Sequence, residues 1–146
     1  MKSLYFITIL LLLVSIVALG CGIISDKADA KKVATSLFEA IRNKDFDTAI
    51  TFYSPKFFEQ NPTVDWIQIL KRVNTKLGDL ENYELKSWNI QKVSGSLENG
   101  TYCELRYEVT YSKYPATETL TLFKPATSGE FSIVEHNINS IGLILE

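Results

Sequence analysis

Histidine, cysteine and methionine are scarce in this sequence, with one His, two Cys and one Met in 146 residues. One imidazole and two thiols are too few for a structural zinc site of the usual four-ligand kind. The sequence has no glycine-rich phosphate loop, no G-x-S-x-G elbow and no H-E-x-x-H pair, which removes the local signatures of nucleotide binding, hydrolase chemistry and zinc peptidases. Asp26, Asp29, Asp45 and Asp47 stand in no recognised ligand loop, so they read as caps or solvated charges and no metal is expected. Positive charge is short as well. Against 17 acidic side chains there are 15 basic ones with no Lys/Arg stripe, which argues against nucleic acid, whose affinity comes largely from neutralised phosphates. No internal repeat or low-complexity tract is present, and no cofactor is implied.

What the chain does have is one long uncharged run. Leu4 to Leu19 follows Lys2 and ends in small residues at Gly20-Cys21, the three-part build of a secretory signal. Ala18-Leu19-Gly20-Cys21 resembles the lipobox of bacterial lipoproteins, in which a cysteine receives a diacylglyceryl group before cleavage on its amino side. Gly20 and Cys21 match that pattern, whereas Ala18 stands where leucine is usual and Leu19 where a small residue is usual. Two other readings stay open: ordinary secretory cleavage after a small-x-small triplet, and an uncleaved anchor, since the run extended through Ile24 reaches the ~20 residues that cross a bilayer. All three place the domain outside the cytoplasm.

The expected organisation is a signal segment over 1–20, a lipidated N-terminus with a short linker over 21–29, and a single α+β domain over 30–146. Cleavage before Cys21 removes 20 residues, Lys2 among them, so the mature chain stays mildly acidic and of one-domain size. If Cys21 carries lipid through its sulfur, Cys103 has no disulfide partner and reads as a small core hydrophobe. If it does not, a Cys21–Cys103 bridge is conceivable.

Ala30, Val33, Ala34, Leu37, Phe38 and Ile41 recur at helical spacing, predicting a helix from Ala30 to Arg42 with Asp29 as its cap. Phe46, Ala49, Ile50 and Tyr53 predict a second, which Ser54-Pro55 ends. Asn61-Pro62 opens a third, with Trp66, Ile69, Leu70, Val73 and Leu77 on one face and Gly78 as the stop. Then the period changes to two. Cys103, Leu105, Tyr107, Val109 and Tyr111 alternate with polar residues from Thr101 to Tyr111. Asn99-Gly100 reads as the two-residue turn pairing that strand with an earlier one over 83–97; although Asn99-Gly-Thr101 fits a glycosylation triplet, the hairpin is the better reading. Strands over 117–124 and 130–140 complete an antiparallel meander. Three N-terminal helices packed on a curved four-stranded sheet follow, because a one-sided sheet must hide its apolar face.

Ala34-x-x-Leu37-Phe38-x-Ala40, the stretch Asp45-Phe-Asp-x-Ala49-x-x-Phe52-x-Ser54-Pro55-x-Phe57, Trp66-x-x-x-Leu70 with Leu77-Gly78, and the late segments Glu118 to Phe123 and Phe131-x-Ile133 resemble small secreted members of the nuclear transport factor 2-like superfamily. The resemblance implies a cone-like fold whose curved sheet wraps against helices and leaves a pocket. It implies little about activity, since that fold hosts isomerases, dehydratases, cyclases, binding modules and dimerisation domains. The extra hairpin that larger members carry between the helices is missing here.

Enzymes of that superfamily place an aspartate, histidine or tyrosine inside the cone. His136 could serve as a base, but Phe131, Ile133, Val134 and Ile138 break alternation, so a bulge leaves its face open. Tyr107 and Tyr111 point with the apolar face and could line a pocket or simply fill the core. Asp65 is explained by the helix start it occupies. The reading that results is a membrane-anchored, non-catalytic ligand- or protein-binding module, lipidated at Cys21, whose working surface is the pocket or the charged outer face with Glu104, Arg106 and Glu108. Its expected partners are the membrane and either an envelope protein or a small apolar ligand. The alternative is a small isomerase or cyclase using His136 or Tyr107.

Overall fold

The computed structural model describes residues 22–95, 98–127 and 129–145 in full, and of 2–21 it gives the helical backbone alone. The expected signal segment and the side chain of Cys21 therefore lie outside the described residues. Among the described residues no helix is long and apolar enough to cross a membrane.

The chain runs α1 (Lys2–Arg42), α2 (Phe46–Ala49), a 3-10 turn (Ile50–Phe52), α3 (Pro55–Gln60) and α4 (Thr63–Leu77). It continues as β1 (Leu80–Ser94), β2 (Asn99–Tyr111), β3 (Ala116–Pro125), β4 (Ser132–Asn139) and a last 3-10 turn (Ile141–Leu143). The strands form one antiparallel sheet in the order β1-β2-β3-β4, the expected α+β meander.

The helical part departs from expectation in three places. The stretch 22–29, expected as a linker, is helical and continuous with the rest of α1, so Asp29 is not a cap. No glycine or proline follows Gly22 to break it, and Asp26, which sits on the buried side, finds Lys124 of β3 as an ion-pair partner. The second helical stretch stops before Ser54-Pro55, at Phe52, but the pair also starts a further helix: Ser54 Oγ accepts the Phe57 N–H at 3.1 Å, and Pro55 takes the first position, where its missing N–H costs nothing. Asn61 then closes α3, its Nδ2 donating to the Phe57 carbonyl. Four helices, not three, thus precede the sheet. On α4, Trp66, Leu70, Val73 and Leu77 are buried as expected, whereas Ile69 is 40% exposed. Gly78 ends α4 with φ 91°, a conformation that glycine adopts without strain.

In the sheet the alternation of β2 holds throughout, with Cys103, Leu105, Tyr107, Val109 and Tyr111 all buried. Asn99-Gly100 is not the turn. Both residues belong to β2, opposite Ser94 and Val93, and the glycine answers a different need: a Cβ there would stand 2.3 Å from the Lys124 carbonyl oxygen. The expected bulge in β4 is present. The register slips where Thr121 faces Glu135 and Leu122 faces Ile133, leaving Val134 as the extra residue, and both Ile133 and His136 turn inward. Between sheet and helices, Phe38 stacks on Tyr83 at 4.7 Å and meets Tyr107 edge-on at 4.9 Å, with Ala30, Ala34 and Leu37 fully buried beside them. Small residues on α1 let the helix approach the sheet closely, and the large rings fill the space that remains.

Candidate functional site

Four polar side chains from distant parts of the chain meet inside the fold. β3 carries Ala116, Glu118, Leu120 and Leu122 on its inward row, so Glu118 enters the core as the one charged member of an apolar row. The β4 bulge brings His136 to the same interior. Its Nε2 lies 2.9 Å from Glu118 Oε2, and its Nδ1 lies 2.7 Å from the hydroxyl of Tyr53, which leads into α3. Tyr111 of β2 donates its O–H to Glu118 Oε1 at 2.6 Å.

One proton arrangement satisfies every group. Tyr53 donates to Nδ1, Nε2–H donates to Glu118, and Glu118 accepts on both oxygens, one from His136 and one from Tyr111. Burial pushes the Tyr53 and Tyr111 phenols well above the ordinary range, and the nearby Glu118 raises both further. Both tyrosines therefore stay protonated as donors.

Aromatic rings close the cluster. Trp66 meets the His136 ring edge-on at 5.8 Å and Tyr53 at the same distance, while Phe57 stands 4.9 Å from Trp66. Trp66 Nε1 is buried with no hydrogen-bond partner among the described residues. Chemically the cluster is a relay of donors and acceptors in which both imidazole nitrogens are engaged and each carboxylate oxygen accepts one hydrogen bond. A neutral imidazole against a carboxylate has the makings of a base, but Tyr53 occupies the nitrogen that would take a proton.

Of the two catalytic candidates from sequence, His136 is in this cluster and Tyr107 is not. Tyr107 faces Glu118 across the β2–β3 register, yet its ring packs on Phe38 and Tyr83 and its buried hydroxyl has no partner among the described residues. Tyr53 and Glu118 were missed. Glu118 had a signal, the alternation Glu118-x-Leu120-x-Leu122; Tyr53 had none, since its partner lies 83 residues away. Asp65 sits in the exposed first turn of α4. Glu104, Arg106 and Glu108 are exposed on the outer face of β2, where Glu108 pairs with Lys86 at 3.1 Å. Cys103 is a free, buried thiol pushed up to about 11 by burial and then by Asp26.

The open space lies elsewhere. A groove of about 690 Å³ runs between α1 and the β3–β4 connection, lined by Lys32, Val33 and Ser36 on one side and Phe52, Glu130 and Phe131 on the other. A second depression, of about 500 Å³, lies at the end of the sheet between Lys92, Thr101 and Lys124. Neither is lined by His136, Glu118 or Trp66. Among the described residues no three His, Cys, Asp or Glu side chains gather as a metal site would require. No protein-family model matches the chain, and no curated protein matches it.

Proposed function

We propose that the protein is a membrane-anchored, extracytoplasmic lipoprotein, held through Cys21, whose domain is a non-catalytic module binding a ligand or an envelope protein in the groove beside α1. The observation that carries the non-catalytic reading is that His136 and Glu118, the groups best suited to chemistry, are bonded to each other and capped by Tyr53 on the imidazole and Tyr111 on the carboxylate, so neither imidazole nitrogen is left free. The groove mixes Lys32 and Glu130 with Phe52 and Phe131, a lining suited to an extended peptide or a small amphipathic molecule. We read the architecture as the cone of the nuclear transport factor 2-like superfamily, a reading supported by helices preceding a bulged meander sheet and by an apolar inner face.

Two measurements test this. The mass of the mature N-terminus should show a lipid-modified Cys21 in the wild type and not in Cys21→Ala; an unmodified or uncleaved wild-type chain would sink the anchor. A photo-crosslinker at Ser36, in the groove, should capture a specific partner in the membrane, whereas one at Glu104 on the outer face should not. Equal capture at both positions would remove the groove from the reading.

A second reading, an isomerase or cyclase, draws on the His136–Glu118 pair itself. It requires Trp66 and Tyr53 to swing aside. Its mark would be a change in Trp66 emission on adding apolar ketones or lactones, abolished by Trp66→Phe and altered by Tyr53→Phe.

A further inference from the structure

The helix α1 passes without a break from the apolar run into the domain, and its described part is pinned to the sheet. Asp26 is paired with Lys124, and Ala30 and Ala34 are fully buried. Position and phase of the helix on the sheet are thereby set from Asp26 onward, and so is the end of the domain that faces wherever residue 21 is held. Gly22 emerges beside Lys92: a Cβ on that glycine would stand 3.8 Å from Lys92 Nζ.

That end has an unusual surface. Ile23 is 42% and Ile24 71% exposed, and Trp88 of β1 is 43% exposed. Lys27, one turn after Ile23 and Ile24 on the same flank, places its Nζ 4.4 Å from the Trp88 ring centre. Lys27 and Lys92 take part in no ion pair among the described residues. The one carboxylate buried there, Asp26, is already matched by Lys124. The depression between Lys92 and Lys124 opens at the same end of the sheet. Exposed isoleucines, a half-exposed tryptophan and unpaired lysines are what the bilayer interface favours: Trp at the headgroup level, Lys reaching to phosphates, aliphatic side chains just below. Lys27 stands ~9 Å along the helix axis from Cys21 at about 1.5 Å per residue, just above a headgroup zone about 5–7 Å deep, and its long side chain reaches back into that zone.

We infer that this end of the domain seats on an anionic bilayer surface, with Ile23, Ile24 and Trp88 in the interfacial zone and Lys27 and Lys92 on lipid phosphates. The inference rests on the anchored reading above and adds to it a fixed orientation, in which the groove beside Lys32 opens sideways ~10 Å above the headgroups.

The test uses the full mature protein in vesicles of phosphatidylcholine, with or without phosphatidylglycerol, whose acyl chains are brominated close to the headgroup. Trp66 is buried, so the difference between wild type and Trp88→Phe isolates Trp88. Its emission should be quenched, more strongly with phosphatidylglycerol present. Lys27→Gln or Lys92→Gln should each lower the ratio of seated to lifted molecules roughly fivefold. Protein that sediments with the vesicles and carries lipid on Cys21, yet shows unquenched Trp88, overturns the seating and leaves the anchor intact. Quenching indifferent to phosphatidylglycerol and to both lysine changes overturns the anionic contact. Protein that fails to stay with the vesicles overturns the anchor and the seating together.

Discussion

Glu118 Oε2 and His136 Nε2 lie 2.9 Å apart with neither side chain open to solvent. Removing one member of such a pair leaves the other buried without its partner. Glu118→Ala leaves the Tyr111 O–H and the His136 N–H buried without an acceptor and is expected to lower the unfolding free energy by about 2–6 kcal/mol, and Glu118→Gln by less, because the amide oxygen still accepts from Tyr111 or His136. Urea unfolding measures both; a loss under about 1 kcal/mol for Glu118→Ala would mean that water reaches the pair.

Stability should fall on the alkaline side. Burial raises the Tyr53, Tyr107 and Tyr111 phenols and holds the Cys103 thiol at about 11. In the unfolded chain these groups ionise near 10 for tyrosine and about 8.5 for cysteine. The folded state therefore keeps protons that the unfolded chain releases, and the stabilisation, complete below about pH 8, is lost from there upward. Above about pH 10 each buried tyrosine contributes a slope of about 1.4 kcal/mol per pH unit. Tyr111→Phe should flatten that slope by about one tyrosine's share, as read from urea midpoints taken across the range.

The two glycines with positive φ should respond differently to alanine. At Gly129, with φ 72° and open space around it, only the backbone strain of about 1 kcal/mol is expected. At Gly78 a methyl would also stand 2.1 Å from Ser112 Oγ and 3.0 Å from the Lys113 backbone nitrogen. Gly78→Ala should thus cost a further 1–3 kcal/mol, roughly the penalty of overpacking. Thermal melts of the pair give the comparison directly, and equal shifts would show that the α4–β1 junction yields freely.

Ser54→Ala should cost about 1 kcal/mol through the lost cap on α3. Its backbone N–H donates to the Ile133 carbonyl at 2.8 Å and survives the change, so β4 should stay in place. Faster amide exchange confined to Phe57 and its neighbours is the expected signature; spread of that exchange into β4 would contradict it.

Elements read from sequence held where one physical signal acted alone. β2 alternates without interruption because water lies on one side and helices on the other, and its inward row is legible from Cys103 to Tyr111. Where the same residues serve two signals, the sequence does not decide between them. Ser54-Pro55 fits the end of one helix and the start of the next equally well, and the choice lies in Oγ reaching the Phe57 N–H, which spacing does not reveal. Asn99-Gly100 has turn chemistry, but its glycine is needed for the approach of β3. His136 was found as a residue and not as a geometry, because one extra residue at Val134 decides the face it takes. The helical stretch before Ala30 was obscured by its charges, two of which meet partners only in the fold: Asp26 with Lys124, and Lys27 with Trp88.

The Asp26–Lys124 pair also bears on where the chain can be shortened without harming the domain. A version cut at Ala30, where the amphipathic pattern begins, would strip the carboxylate from an ammonium that is largely shielded from solvent and remove the Lys27 ammonium from the Trp88 ring. Cutting at Gly22 instead keeps both contacts, and with them the native starting point for crystals, spectra or binding assays.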